Sequence, residues 1–183
     1  RIGIILTTLL LVLQTLTFSQ PSAKKDITLE DIWMSRDLYP ETISGLNSMN
    51  DGEHYTVLES DGKTASIDKY NYKSGKKVGT LLSSEDLKNP FNGENIVFSD
   101  YQFNGDESKV ILTAGIEKIY RHSFVAAYFV YDFKTKKTIA LDDIIKQQLP
   151  AFSPKGDKVA FVQNNNIFIK DLNDNSLKQI TSD

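Results

Sequence analysis

Residues 152–162 read FSPKGDKVAFV, and this pattern occurs twice more, earlier in the chain. Residues 103–113, FNGDESKVILT, match it position by position, and residues 49–58, MNDGEHYTVL, form a looser and shorter copy. Each copy places a glycine-containing turn before a run of apolar, strand-forming residues, which is typical of a β-hairpin. The chain therefore contains a repeat with a period of about fifty residues, which indicates a fold built from repeated units.

A second motif closes each repeat. Residues 70–78, YNYKSGKKV, match residues 131–139, YDFKTKKTI, and residues 170–177, KDLNDNSL, are a third version. Together the two motifs predict a four-stranded antiparallel sheet in each repeat. Such sheets bury both faces by stacking radially as the blades of a β-propeller.

We therefore predict an all-β fold, a partial β-propeller with blades at about residues 46–82, 96–142 and 148–183. A ring usually needs about four to eight blades, and each blade buries its faces only against its neighbours. Three blades do not close a ring, so we expect the chain to be a fragment of a longer protein.

The N-terminus is typical of a secretory signal peptide, which we predict at residues 1–19. Arg1 precedes an apolar run at residues 2–13, and the small residues Thr17 and Ser19 follow. The alternative is a membrane anchor, but the run is shorter than the ~20 residues that a spanning helix needs. We expect an exported protein, in the periplasm, on the cell surface or secreted.

Residues 20–45 are predicted to be a linker that contains one short helix. Thr28 and Asp31 have the spacing of a capping box, with aspartate in place of glutamate, and open a helix around residues 29–34. A second short helix is predicted at residues 142–148, on the connection between the last two repeats.

Composition excludes several classes of site. The chain has 183 residues, a formal charge of −3 and no cysteine, which excludes disulfides, zinc–thiolate sites and thiol nucleophiles. Its lysines are scattered, so we expect no nucleic-acid partner. No catalytic motif and no cofactor motif is present, and His54 and His122 lack the nearby acidic cluster that a metal site would need. We predict His54 to be a half-exposed strand residue.

The candidate ligand contact is Arg121, in the stretch IYRHSFVAAYFVYD at residues 119–132. We predict a loop at residues 115–120, because the matching connection in the last repeat is only the tight turn at residues 164–165. A guanidinium presents a planar fork of donors that suits a carbonyl or a carboxylate. His122 is a possible support, or simply a hydrogen-bonded residue that orders the loop. For Arg121, an ordinary surface ion pair is the alternative.

The aromatic residues of this stretch resemble a stacking platform. At a period of two they are more simply explained as the two buried faces of a blade strand, and we predict them to be core. The set comprises Tyr120, Phe124, Tyr128, Phe129 and Tyr131.

Several of these segments resemble the N-terminal part of bacterial secreted peptidases of the dipeptidyl peptidase IV family. The similar segments are residues 29–32, 48–56, 70–76, 119–123, 152–156 and 165–170. The propeller repeat is weakly specific, whereas the Tyr-Arg-His-Ser segment at residues 120–123 is much more so.

The resemblance implies an eight-bladed propeller that caps a C-terminal α/β-hydrolase domain carrying a Ser-His-Asp triad. The implied reaction releases dipeptides from peptide N-termini, with proline or alanine in the second position. Arg121 matches the family's propeller arginine, which contacts the substrate carbonyl and helps to hold two glutamates that bind the substrate's free ammonium. Those glutamates and the triad are expected beyond residue 183, so no catalytic residue is assigned in this chain.

Two hypotheses follow from the sequence. The first is the exported propeller part of a serine dipeptidyl aminopeptidase, inactive by itself, with a peptide substrate, a missing hydrolase domain and a possible homodimer. The second is a non-enzymatic periplasmic propeller that binds proteins, like that of the Tol system, in which Arg121 is an interface or surface residue.

Overall fold

The structure is a computed structural model that describes residues 26–35, 38–40, 45–142 and 146–182. The chain divides into two units, residues 1–42 and residues 43–183. The predicted signal peptide lies outside the described residues. Among the residues that the structure describes, no helix is long and apolar enough to cross a membrane.

The first unit contains one short helix, α1 (Leu29–Trp33). The side chain of Thr28 accepts a hydrogen bond from the backbone N–H of Asp31 at 3.2 Å. The carboxylate of Asp31 in turn accepts one from the backbone N–H of Thr28 at 3.0 Å. Two N–H groups that the first helical turn leaves unpaired are thereby satisfied, and the predicted capping box is confirmed.

The second unit consists of three four-stranded antiparallel sheets, which we call blades 1, 2 and 3. Blade 1 contains β1 (Asn47–Ser48), β2 (His54–Ser60), β3 (Ala65–Asn71) and β4 (Lys77–Ser83). Blade 2 contains β5 (Phe98–Phe103), β6 (Lys109–Tyr120), β7 (Ser123–Asp132) and β8 (Lys137–Ala140). Blade 3 contains β9 (Gln148–Phe152), β10 (Lys158–Gln163), β11 (Asn166–Asp171) and β12 (Leu177–Gln179). The predicted all-β fold with three propeller-like blades is confirmed.

Short polar residues set the hairpin turns. After β2, the carboxylate of Asp61 accepts hydrogen bonds from the N–H groups of Lys63 at 2.8 Å and Thr64 at 2.7 Å. The N–H groups of Thr64 and Lys63 lower the pKa of Asp61. Between β10 and β11, Asn164 and Asn165 both have positive φ, 49° and 62°, as a tight two-residue hairpin requires.

Blade 2 buries both faces because alternate residues of β6 point to opposite neighbours. Val110 and Leu112 lie in an apolar cluster with Ile67 of blade 1. Ile111, between them, lies in a second cluster with Phe161 of blade 3. All five side chains are at most 1% exposed. Full burial of each contributes about 1.5–3 kcal/mol, so blade 2 is held from both sides.

The repeated glycine turns of neighbouring blades contact each other. The side-chain amide of Asn50 in blade 1 donates to the carbonyl of Gly105 in blade 2 at 2.8 Å. In blade 3, Gly156 has φ +67°, and a Cβ added there would lie 2.4 Å from Nδ2 of Asn104 in blade 2. Gly156 therefore has two physical reasons, a left-handed backbone and close packing against the preceding blade. In blade 2 the matching position is Glu107, which also has a positive φ of 58°.

Candidate functional site

Arg121 and His122 form the two-residue connection between β6 and β7, since Tyr120 pairs with Ser123 across the turn. The predicted loop at residues 115–120 is wrong, because these residues are the last six of β6. They are exposed, although they include Ile116 and Ile119, and their backbone nevertheless pairs with β7.

The β6–β7 hairpin has two parts that differ in their surroundings. The hairpin base, residues 109–114 and 126–132, lies between β5 and β8, which pair with it as far as Ala114 and Phe129 respectively. The hairpin tip, residues 115–125, is a two-stranded ribbon whose β6 side is exposed along its whole length. Arg121 is thus carried away from the blade core on paired backbone.

Two β-bulges interrupt the tip. The register of β6 against β7 shifts between Ala114 and Glu117, and again between Lys118 and Tyr120. Gly115, at the first shift, has φ +57°, in the left-handed region that favours glycine. Bulges increase the local twist and change the direction of a strand, so they determine where the end of the hairpin points.

The end of the tip is an open concave surface. Tyr120, Arg121, His122 and Ser123 line a pocket of about 750 Å³. Arg121 is exposed and makes no hydrogen bond or ion pair with any residue that the structure describes. Within the described chain the alternative of a surface ion pair is therefore not observed, and the guanidinium donors are available to a ligand.

His122 is also exposed, and it makes no hydrogen bond within the described part of the chain. It therefore does not order a loop through such a bond. It lines the same pocket as Arg121. A role for His122 beside Arg121 stays a prediction.

The aromatic residues of the stretch separate into two groups. Tyr128 and Phe129, in the base, are 3% and 6% exposed, as predicted, and burial raises the pKa of the Tyr128 hydroxyl. Phe124 and Tyr131 are half-buried beside the apolar clusters. For Tyr120 the prediction of a core position is wrong, because it is 82% exposed at the end of the hairpin.

His54 is half-exposed in blade 1, as predicted, and its Nδ1 lies 2.8 Å from Oδ2 of Asp51. Backbone N–H donation by Glu53, followed by the bonds from His54 and Lys69, lowers the pKa of the Asp51 carboxyl despite the opposing effect of desolvation. Among the described residues, no group of three or more His, Cys, Asp or Glu side chains could hold a metal ion.

A segment that holds the tip was not recognised from the sequence. A helix is predicted at residues 142–148, of which residues 143–145 lie outside the described residues. The prediction is wrong for its last part, because Gln147 forms an isolated bridge with Ala126 and Gln148 begins β9. Lys146, just before them, contacts β6 near Gly115. These contacts join residues about twenty to thirty positions apart, and no local pattern predicts such pairing.

Known proteins resemble this chain along most of its length. Residues 104–183 match the family described as "Dipeptidyl peptidase IV (DPP IV) N-terminal region". The crystal structure of Porphyromonas gingivalis dipeptidyl peptidase 4 is 38% identical, with a TM-score of 0.69, over 87% of this chain and 22% of that one.

Curated relatives agree with the structural match. "Probable dipeptidyl-aminopeptidase B" of Botryotinia fuckeliana is 30% identical over 91% of this chain and 19% of its own length. Human "Prolyl endopeptidase FAP" is 27% identical over 83% of this chain and 18% of its own length. The chain thus spans about a fifth of the length of these relatives, and it belongs to the N-terminal propeller region of the dipeptidyl peptidase IV family.

Proposed function

We propose that this chain is part of the propeller of a serine-type dipeptidyl aminopeptidase, which releases Xaa-Pro and Xaa-Ala dipeptides from peptide N-termini. The observation that carries the proposal is Arg121, which has no partner among the described residues. It lies at the end of a projecting hairpin, in a chain 38% identical to a dipeptidyl peptidase 4. The catalytic groups belong to a separate hydrolase domain, so this chain positions substrate.

The chemistry of Arg121 suits such a role. Its guanidinium donates along two edges, so one edge can bind a peptide carbonyl of the substrate while the other holds a carboxylate. Holding the carbonyl fixes the substrate relative to a nucleophile elsewhere, which lowers the entropic part of the barrier. Tyr120 and His122 line the same open pocket as Arg121, so they are the neighbours that a bound substrate would meet there.

The second hypothesis, a non-enzymatic protein-binding propeller, has weaker support, because the relatives and the 38% identical structure described above are all named as peptidases. Export through residues 1–19 and dimerisation of the complete protein stay predictions. The peptide substrate with a free N-terminus belongs to the proposed reaction.

The test replaces Arg121 in the full-length protein that contains this chain. A hydrogen bond to a charged group contributes about 1.5–3 kcal/mol, so Arg121→Ala should lower kcat/KM for Gly-Pro-p-nitroanilide about 10- to 150-fold. Lys118→Ala is the matched control, since it removes an exposed cation from the same hairpin tip. Unchanged kinetics for Arg121→Ala would exclude its role in binding, and hydrolysis by the isolated chain would show an overlooked catalytic group.

A further inference from the structure

The hairpin tip needs support that its own strands do not supply. Beyond Ala114 its β6 strand is exposed along its whole length, and two bulges interrupt its ladder. Its β7 strand keeps a contact with the apolar cluster of blade 3 through Phe124. An isolated two-stranded ribbon is only marginally stable in water. A ligand contact at its end is useful only if something outside the ribbon sets its direction.

Three consecutive residues, Lys146, Gln147 and Gln148, hold the hairpin where it leaves the blade. The backbone of Gln147 exchanges two hydrogen bonds with that of Ala126, at 2.9 and 3.0 Å. The side-chain amide of Gln148 donates to the carbonyl of Phe124 at 3.2 Å. These contacts hold β7, but they leave β6 untouched.

Lys146 provides the contact to β6. Its ammonium donates to the carbonyl of Gly115 at 2.7 Å and lies 2.7 Å from a carboxylate oxygen of Glu117. Both partners flank the first bulge, where the ladder of β6 is broken. The ammonium therefore bridges the two sides of the point at which the strand changes direction, with charge-assisted bonds.

The geometry points to Lys146 as a positioning residue for the Arg121 hairpin, an inference that rests on the proposed function. Arg121 is six residues beyond Gly115, about 20 Å along an extended strand. Over such an arm, a rotation of about 10° at the bulge moves the guanidinium by about 3.5 Å. A displacement of about 1 Å in a bound geometry is enough to cost a large factor in rate.

The same contacts contribute little to folding. Glu117 is 68% exposed and Lys146 33% exposed, and ion pairs in such settings add little to stability. A substitution at Lys146 should therefore change KM for the substrate clearly, while the unfolding temperature changes little. This separation distinguishes a positioning residue from a merely structural one.

The experiment uses Lys146→Met in the full-length protein, which keeps the length of the side chain and removes its donors. We expect KM for Gly-Pro-p-nitroanilide to rise about 3- to 10-fold, with kcat much less affected and the melting temperature within about 2 °C of wild type. Lys146→Arg should restore most of the loss, and Lys118→Met, which alters a neighbouring exposed lysine, should have no effect. If Lys146→Met lowers the melting temperature by more than about 2 °C, Glu117→Gln is the substitute, since it weakens only one of the two contacts. It should also raise KM, by a smaller factor.

A double-mutant cycle decides whether Lys146 acts through Arg121. The effect of Lys146→Met should disappear in an Arg121→Ala background, since there is no guanidinium left to misplace. If Lys146→Met raises KM as much in the Arg121→Ala background as in wild type, the inference is overturned. It is also overturned if Lys146→Met has wild-type kinetics while Arg121→Ala is impaired. If Arg121→Ala itself is unimpaired, the proposed site fails instead, so the two failures are distinguishable.

Discussion

The hairpin base and the hairpin tip are halves of the same two strands, yet they have opposite surroundings. In the base, Ile111 is 1% exposed and packs against blade 3. In the tip, Ile119 is 59% exposed, eight residues further along the same strand. Backbone pairing continues through both halves, so pairing alone does not separate them.

One strand pair can therefore serve two purposes, because its packing against the blades ends before its backbone hydrogen bonds do. The base stabilises the blades through buried apolar area, and the tip carries a charged side chain outward on ordered backbone. Loops commonly present ligand contacts on a rigid scaffold. Here the presenting element is itself a β-ribbon, continuous with the blade that anchors it.

The largest expected contrast is between identical substitutions in the two halves. Ile111→Ala should destabilise the fold by about 2–5 kcal/mol, because it leaves a cavity between blades 2 and 3. Ile119→Ala, its matched control, should change the stability by less than about 0.5 kcal/mol. Urea unfolding followed by circular dichroism measures both. Equal losses would mean that the tip is packed as tightly as the base.

A smaller effect is expected at the border between the halves. Gly115→Ala should cost about 1–2 kcal/mol, because alanine is strained in the left-handed conformation that Gly115 adopts. Gly105→Ala is the control, since its φ lies outside that region and no atom lies within 4 Å of an added Cβ. The same unfolding assay applies. A Gly115→Ala variant as stable as Gly105→Ala would argue against a fixed bulge at the border.

The smallest effect concerns pH and belongs to the base alone. Burial opposes ionisation of Asp132, but the N–H groups of Thr135 and Lys134 and the charge of Lys109 hold its pKa below the ordinary value. A lowered pKa stabilises the fold above the unfolded value of about 3.9, and this contribution is lost as the pH falls. Asp132→Asn should therefore be less stable than wild type at pH 7, and this difference should shrink at pH 3. A difference that stays constant from pH 7 to pH 3 would contradict the assignment.

Much of the fold was predictable because its signals are local. The turn at residues 164–165, the capping box at Thr28 and the apolar strand-forming run that ends at residue 113 each depend on neighbours in sequence, and the structure confirms all three. A repeat of such signals was sufficient to predict three blades. Turn type, and with it the register of a hairpin, is set by a few adjacent residues, so it can be predicted without tertiary information.

The tip was not predictable for the opposite reason. Gly115, Glu117 and Lys118 have loop-like composition, and only the pairing partner across the hairpin shows that they are a strand. The Lys146 contacts depend on residues far apart in sequence, and so does the finding that Arg121 has no partner in the part of the chain that the structure describes. The motif around Arg121 indicated the residue, but only the fold showed how it is presented.

The bulge at Gly115 also has a consequence for insertions and deletions. One extra residue at Ile111 would exchange the side chains that face blades 1 and 3, because side chains along a strand alternate. Beyond Gly115 the side chains of β6 are exposed, so residues added in pairs close to the turn, one to each strand, lengthen the ribbon by about 3.3 Å per pair and leave the blades unaltered. The distance between Arg121 and the blades can thus be changed, by natural variation or by design, without changing the propeller itself.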